Sequence, residues 1–192
     1  MNKLIVASNS PRRQELMIQA GFKFEVFTKD VDESIDESIP IMDVAKYLAE
    51  KKNIEYRKIL DKEIIVTSDT VVIANDQILG KPKDTDEARS MLQSMSDGSH
   101  LVVTGVCISS HKRSISFDDT TKVYFKPITT QEIEYYIDNY KPYDKAGAYG
   151  IQEWIGMVAI NSIEGSFYNV MGLPIHKVYD CLKNQFGILP KQ

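Results

Sequence analysis

Short runs rich in Ile, Val and Leu alternate along this chain with stretches whose apolar residues recur at helical spacing, which restricts it to the mixed α/β class. Residues 3–7, 24–27, 64–67, 71–73, 77–79, 101–108, 121–125 and 154–163 read as strands. Helices are expected over 11–20, from Pro40 to about Leu60, over 84–95 and 130–139, and from Pro174 to near Gly187. Ser10 is a good N-cap, Pro11 suits the first helical position, and Gly21 is a stop. Asn75-Asp76 marks a turn between two strands, and Ser68-Asp69-Thr70 interrupts the apolar run that surrounds it.

At 192 residues and 43% hydrophobic content, the chain suits one domain, or one domain in two lobes around a cleft. No apolar run approaches the roughly 20 residues of a membrane span, so no membrane partner is expected. The first residues lack a secretory pattern, and Cys107 and Cys181 both lie in apolar surroundings. The expectation is therefore a cytoplasmic protein without a disulfide framework. A net charge of −4 argues against a stable nucleic-acid partner.

The chemistry-bearing residues are carboxylates and cations. Arg12 and Arg13 open the first expected helix, where the free N–H groups already carry about half a positive charge. Two readings stand: a phosphate over that turn, gathered by serine hydroxyls, N–H groups and guanidinium forks, or a solvated arginine pair. Asp69, between two hydroxyl residues at the end of an apolar strand, suits a Mg2+ ligand or a general base, and equally a turn cap. Glu33 is a second carboxylate candidate or a solvated one. Lys81 precedes Pro82 and is held extended, while Lys51 and Lys52 add cations from a helix. His100, His111 and His176 have no partners at metal-ligand spacing, and His176 reads as a packing residue. A nucleophile elbow, a Walker loop and a dinucleotide fingerprint are all absent. The inventory fits metal-assisted hydrolysis of a phosphoanhydride.

Six segments in order resemble the Maf family of nucleoside triphosphate pyrophosphatases. They are Ser8-Asn9-Ser10-Pro11-Arg12-Arg13, Ala49-Glu50-Lys51-Lys52, Ser68-Asp69-Thr70-Val71-Val72, Gly80-Lys81-Pro82, residues 144–152, and the closing stretch that ends Asn169-Val170-Met171-Gly172-Leu173-Pro174. The resemblance spans nearly the whole chain and implies one domain over 1–192. It implies an elongated, twisted mixed sheet flanked by helices, in two lobes around a cleft, similar to the inosine triphosphatase fold. It also implies a house-cleaning enzyme that converts a nucleoside triphosphate to the monophosphate and pyrophosphate with Mg2+ or a similar ion such as Mn2+ or Co2+. By matching motifs Asp69 corresponds to the catalytic acid/base and, with Glu33, to the acidic groups at the metal. Ser8, Arg13, Lys52 and Lys81 correspond to phosphate-binding groups, although sequence alone does not decide whether Lys51 or Lys52 faces the site. Asn9 and Asn53 depart from the family pattern, Asn53 standing where alanine is usual.

Arg12, Thr70 and Gln152 are similar to the signature of the branch acting on dTTP and UTP. The resemblance further implies a homodimer. A non-catalytic nucleotide-binding regulator of septum formation and division is the rival from another class. Removal of inosine-type purines is a third reading, against which Gln152 argues.

Overall fold

A computed structural model describes residues 3–36 and 38–190. The strands are β1 (Leu4–Val6), β2 (Glu25–Val26), β3 (Ile64–Ala74), β4 (Gln77–Leu79), β5 (Ser99–Ser109), β6 (Ser114–Phe125) and β7 (Ile160–Glu164). The helices are α1 (Pro11–Gln19), α2 (Val44–Arg57), α3 (Thr85–Met95), α4 (Thr130–Tyr140), α5 (Trp154–Ala159), α6 (Phe167–Val170) and α7 (Ile175–Phe186). Among the described residues the seven strands form one mixed sheet in the order β2-β1-β3-β5-β6-β7, with β4 paired to β3. No helix is long and apolar enough to cross a membrane.

The contacts divide the chain into two compact units. The first takes Met1–Asp69, Thr104–Asp119 and Gly172–Gln192, and the second takes Thr70–Val103 and Thr120–Met171. In the first, β1 lies parallel to both β2 and β3, with Ile5 opposite Glu25 and Ile65. Parallel neighbours need crossover connections, and α1 and α2 supply them. α2 buries Val44, Ala45, Leu48, Ala49, Asn53 and Tyr56, a stripe at helical spacing. It packs so closely that a Cβ on Gly105 of β5 would fall into the Ala45 carbonyl. Only glycine permits that approach.

In the second unit β3 turns into β4 through Asn75 and Asp76, both at positive φ (50° and 58°), and Ala74 pairs with Gln77. Asn and Asp tolerate that left-handed geometry, which suits the tight hairpin. α4 begins with a capping box between Thr129 and Glu132. Its Ile133, Tyr136 and Ile137 join Leu92, Val102, Phe125, Ile151 and Ile155 in the core.

Several sequence expectations are revised. Ser68-Asp69-Thr70 does not end a strand; it runs through the middle of β3. Residues 154–159 form a helix and not a strand. Ile155 and Ala159, four apart, are its buried pair, and Gly156 lies tight on the Ile151 backbone. The helix expected from Pro40 begins as a 3-10 turn, Ile41–Asp43. Ser10 holds the N-cap position of α1 without a side-chain cap bond. His176 is exposed, 4.0 Å from Asp119, and so is not a packing residue. Cys107 and Cys181 are buried free thiols.

The buried histidine is His100. Its Nε2 lies 2.7 Å from the Tyr149 hydroxyl, its ring stands edge-on to Phe125 and Tyr149, and its Nδ1 has no partner among the described residues. Burial disfavours the imidazolium and lowers the pKa from 6.5 to about 4. Between those values the unfolded chain binds the proton and the folded chain does not. Stability should therefore fall as pH drops from 6.5 towards 4, by on the order of 3 kcal/mol in full. Urea midpoints across that range should show the slope, and His100→Gln should flatten it; an equal slope in the variant would assign the effect elsewhere.

Candidate active site

In the first unit one ammonium gathers two carboxylates. Thr67, fully buried on β3, donates its hydroxyl to the Ala49 carbonyl of α2 at 2.7 Å. Strand alternation places Asp69 on the same face, so it too meets α2, one turn from Ala49. There Asp69 pairs with Lys52, each side chain 16% exposed. Lys52 also reaches Glu33 at 2.7 Å. Lys51 turns to Asp32 and the Ser34 hydroxyl, both at 2.9 Å. The Ser34 hydroxyl and N–H, with Lys51, hold the exposed Asp32 carboxyl below the usual carboxylate range. The two adjacent lysines thus tie the acidic loop to α2, and Lys52 is the one beside Asp69.

The start of α1 lies in the same unit. The Ser8 hydroxyl accepts from the Ser10 N–H at 3.2 Å, and the Gln14 amide donates to the Ser8 carbonyl at 2.9 Å. Arg13 donates through Nε to the Gly172 carbonyl at 2.7 Å and through Nη1 to the Ser68 carbonyl at 2.9 Å. Burial lowers the guanidinium pKa, the Asp69 charge opposes that fall, Arg12 adds to it, and Glu33 opposes it. Arg12 is half-buried on the first turn. Ser8, Arg13, Lys52, Glu33 and Asp69 therefore all belong to this unit.

Thr70, Lys81 and Gln152 belong to the second unit. Thr70 follows Asp69 on β3, its side chain on the alternate face. Lys81 is exposed after Gly80, whose carbonyl accepts from the Gly147 N–H at 3.0 Å. Gly147 sits at φ 68°, and a Cβ there would press on Val72 at 3.0 Å. That glycine lets the 144–150 segment lie on β3. Gln152 is exposed at the edge of a hollow of about 410 Å³ walled by Ile151, Met157, Ile160, Ile163 and Phe167.

Sequence reasoning missed a buried network beside Gln152. Lys145, 8% exposed, pairs with Asp144 at 2.7 Å and Glu153 at 3.1 Å, and Glu153 accepts from the Tyr136 hydroxyl. A lysine inside the glycine-bearing 144–150 stretch was the available signal, since a buried lysine requires a partner.

A mixed α/β protein whose first unit sets two carboxylates, a lysine and an arginine together is suited to a small polyanion. The chain belongs to the Maf family: the Maf-like protein model matches residues 3–185. It is 46% identical over 184 residues to a protein named dTTP/UTP pyrophosphatase from Parabacteroides distasonis, covering 95% of each chain. It is 46% identical over 181 residues to one of the same name from Flavobacterium johnsoniae, covering 94% of this chain and 93% of that one. Among solved structures, the Staphylococcus aureus Ham1 protein matches 65% of this chain and 72% of its own at 13% identity and a TM-score of 0.47.

The arginine bonds change an expectation. A cation at a helix N-terminus should be removable with a small gain in stability, but Arg13 ties two backbone carbonyls. Arg13→Ala should cost about 1.5–3 kcal/mol, the range for a bond to a charged group. Chemical denaturation of the apo protein measures this, and unchanged or raised stability would return Arg13 to a purely ligand-facing role.

Proposed function

We propose that this chain hydrolyses dTTP and UTP, with modified pyrimidine triphosphates, to the nucleoside monophosphate and pyrophosphate. The observation that carries the reading is Lys52 shared between Asp69 and Glu33, in a chain similar over nearly its whole length to proteins named dTTP/UTP pyrophosphatase. A regulator that only bound nucleotide would have no need to keep Asp69, Lys52, Lys81 and the arginine pair together.

Triphosphate oxygens compete with carboxylates for the Lys52 ammonium. Once Lys52 turns to phosphate, Asp69 Oδ2 is released to take the proton from the attacking water. Water adds at the α-phosphorus, the bond to the α,β-bridging oxygen breaks, and pyrophosphate leaves. Ser8, Arg13 and Lys81 bind phosphate oxygens in this reading, and Arg12 and Thr70 assist in choosing the base. The Gln152 amide offers a donor and an acceptor to the edge of uracil or thymine, where one N–H lies between two carbonyls.

Two carboxylates converging on one cation also fit Mg2+, which takes one or two protein carboxylates and completes its shell with phosphate and water. Asp69 and Glu33 would hold it; no third acidic, histidine or cysteine ligand joins them among the described residues. When bound, the ion supplies neutralisation of phosphate charge; Mn2+ or Co2+ suits the same oxygen donors.

Product chromatography tests the bond choice: UTP should give UMP and pyrophosphate, and UDP with free phosphate would overturn the reading. Asp69→Asn should lower turnover by at least about 10²-fold, the scale of a lost general base, while the circular dichroism spectrum stays native. Near-normal turnover with the same metal requirement would remove Asp69 from the chemistry. Gln152→Glu should depress dTTP and UTP turnover with little effect on folding, because an ionised carboxylate cannot donate to a base carbonyl.

A further inference from the structure

Glu153 is the hub of a buried network directly behind the turn that carries Gln152. One of its oxygens lies 3.1 Å from Lys145, and the other accepts from Tyr136, whose side chain is fully buried on α4. The Tyr136 oxygen in turn accepts the Gly150 N–H at 3.0 Å. The turn closes on itself through the Glu153 N–H and the Gly150 carbonyl, also at 3.0 Å. A Cβ on Gly150 would meet the Glu153 carboxyl carbon at 2.9 Å and the Gln152 amide nitrogen at 3.2 Å. Both side chains therefore fold over the one residue that leaves room for them. The turn is held at both ends from inside the core, and only the glutamine at its tip is exposed.

Removing a lysine and a carboxylate from water is costly, and apolar residues would fill that space with at least as much stability. What the charges add is direction. Both Glu153 oxygens are engaged, which fixes the carboxylate and the turn attached to it. Burial disfavours the phenolate, and the Glu153 carboxylate adds to that effect, so Tyr136 remains an O–H donor. A glutamine amide that must meet a base edge with one particular donor–acceptor order gains from such preorganisation.

We infer that Tyr136, Glu153 and Lys145 are positioning residues that hold Gln152 for uracil and thymine recognition. The inference rests on the proposed dTTP/UTP activity.

Steady-state pyrophosphate release from UTP, dTTP and CTP by the full chain with Mg2+ tests it. Tyr136→Phe and Glu153→Gln should each raise KM for UTP and dTTP about tenfold, with kcat within about threefold and a matching loss of preference over CTP. In a Gln152→Ala background, adding Tyr136→Phe should move KM by less than about twofold, because the network acts through the absent amide. Folded variants with wild-type KM and preference would overturn the inference. So would an equal KM rise with and without Gln152, the sign of a general structural effect. Glu153→Gln, which keeps shape but puts an N–H donor where one of the two accepting oxygens stood, carries the test if Tyr136→Phe does not fold. Wild-type chain that releases no pyrophosphate from UTP or dTTP would instead overturn the proposed function, so the two failures are separate.

Discussion

The contact between Lys52 and the carboxylates of Glu33 and Asp69 organises the first unit. Two like charges drawn towards one point repel, and the Lys52 ammonium between them offsets that repulsion. The cation is supplied by α2, and α2 is seated by features that tolerate little change. Gly105 admits the helix backbone at Ala45, and the Thr67 hydroxyl bonds to the Ala49 carbonyl one turn before Lys52. The acidic loop contributes no regular structure and is tied down by the charges themselves, Lys51 holding Asp32 and Lys52 holding Glu33. Packing thus places the lysines and Asp69, and the lysines place the acids of the loop.

Asn53 shows how a polar side chain is accommodated inside the α2 interface. A buried amide in place of a methyl group would leave three hydrogen-bonding atoms without water. Here its Nδ2 donates to the Thr67 hydroxyl and the Cys107 carbonyl, both at 3.2 Å, and its Oδ1 accepts from Ser109 at 2.5 Å. Arg57, one turn further along α2, donates to the same serine at 2.9 Å. The amide becomes a bridge joining α2, β3 and β5 on the side of the strand that presents Asp69. A satisfied polar network specifies one helix register more narrowly than a methyl contact.

What could be read from sequence was local. β-Branched runs, the Asn75-Asp76 turn, the stripe on α2 and the helix starts near 84 and 130 are all decided within a few residues, and they place most elements within one or two positions. Ser68-Asp69-Thr70 read as a break because polar residues in a strand usually mark its end. Their partners come from an α2 residue 17 positions earlier for Asp69 and from an arginine 55 positions earlier for Ser68. The helix over 154–159 was hidden for a similar reason, since its apolar residues are dense enough to satisfy either period. The Lys145–Glu153–Tyr136 network showed in sequence only as a lysine in a glycine-bearing stretch, since its partners Glu153 and Tyr136 lie 8 and 9 positions away and are each ordinary alone. Candidate carboxylates and cations were legible by type and order; their pairings were not.

The arginine pair is the sharpest example. Positive charge at the first turn of α1 left two readings open, an anion over the turn or a solvated arginine pair. The structure answers part of that electrostatic argument with backbone: Arg13 meets the negative ends of two carbonyls, at Gly172 and Ser68. The anomaly is therefore not by itself evidence for a phosphate. The Ser68 carbonyl also shares its peptide group with the N–H of Asp69. A guanidinium bonded to that carbonyl limits rotation of the peptide plane that sets the carboxylate's direction. The same side chain that steadies the start of α1 thus steadies the strand residue proposed to take the proton. Stability and chemistry at this point share one set of bonds, so a substitution of Arg13 acts on both.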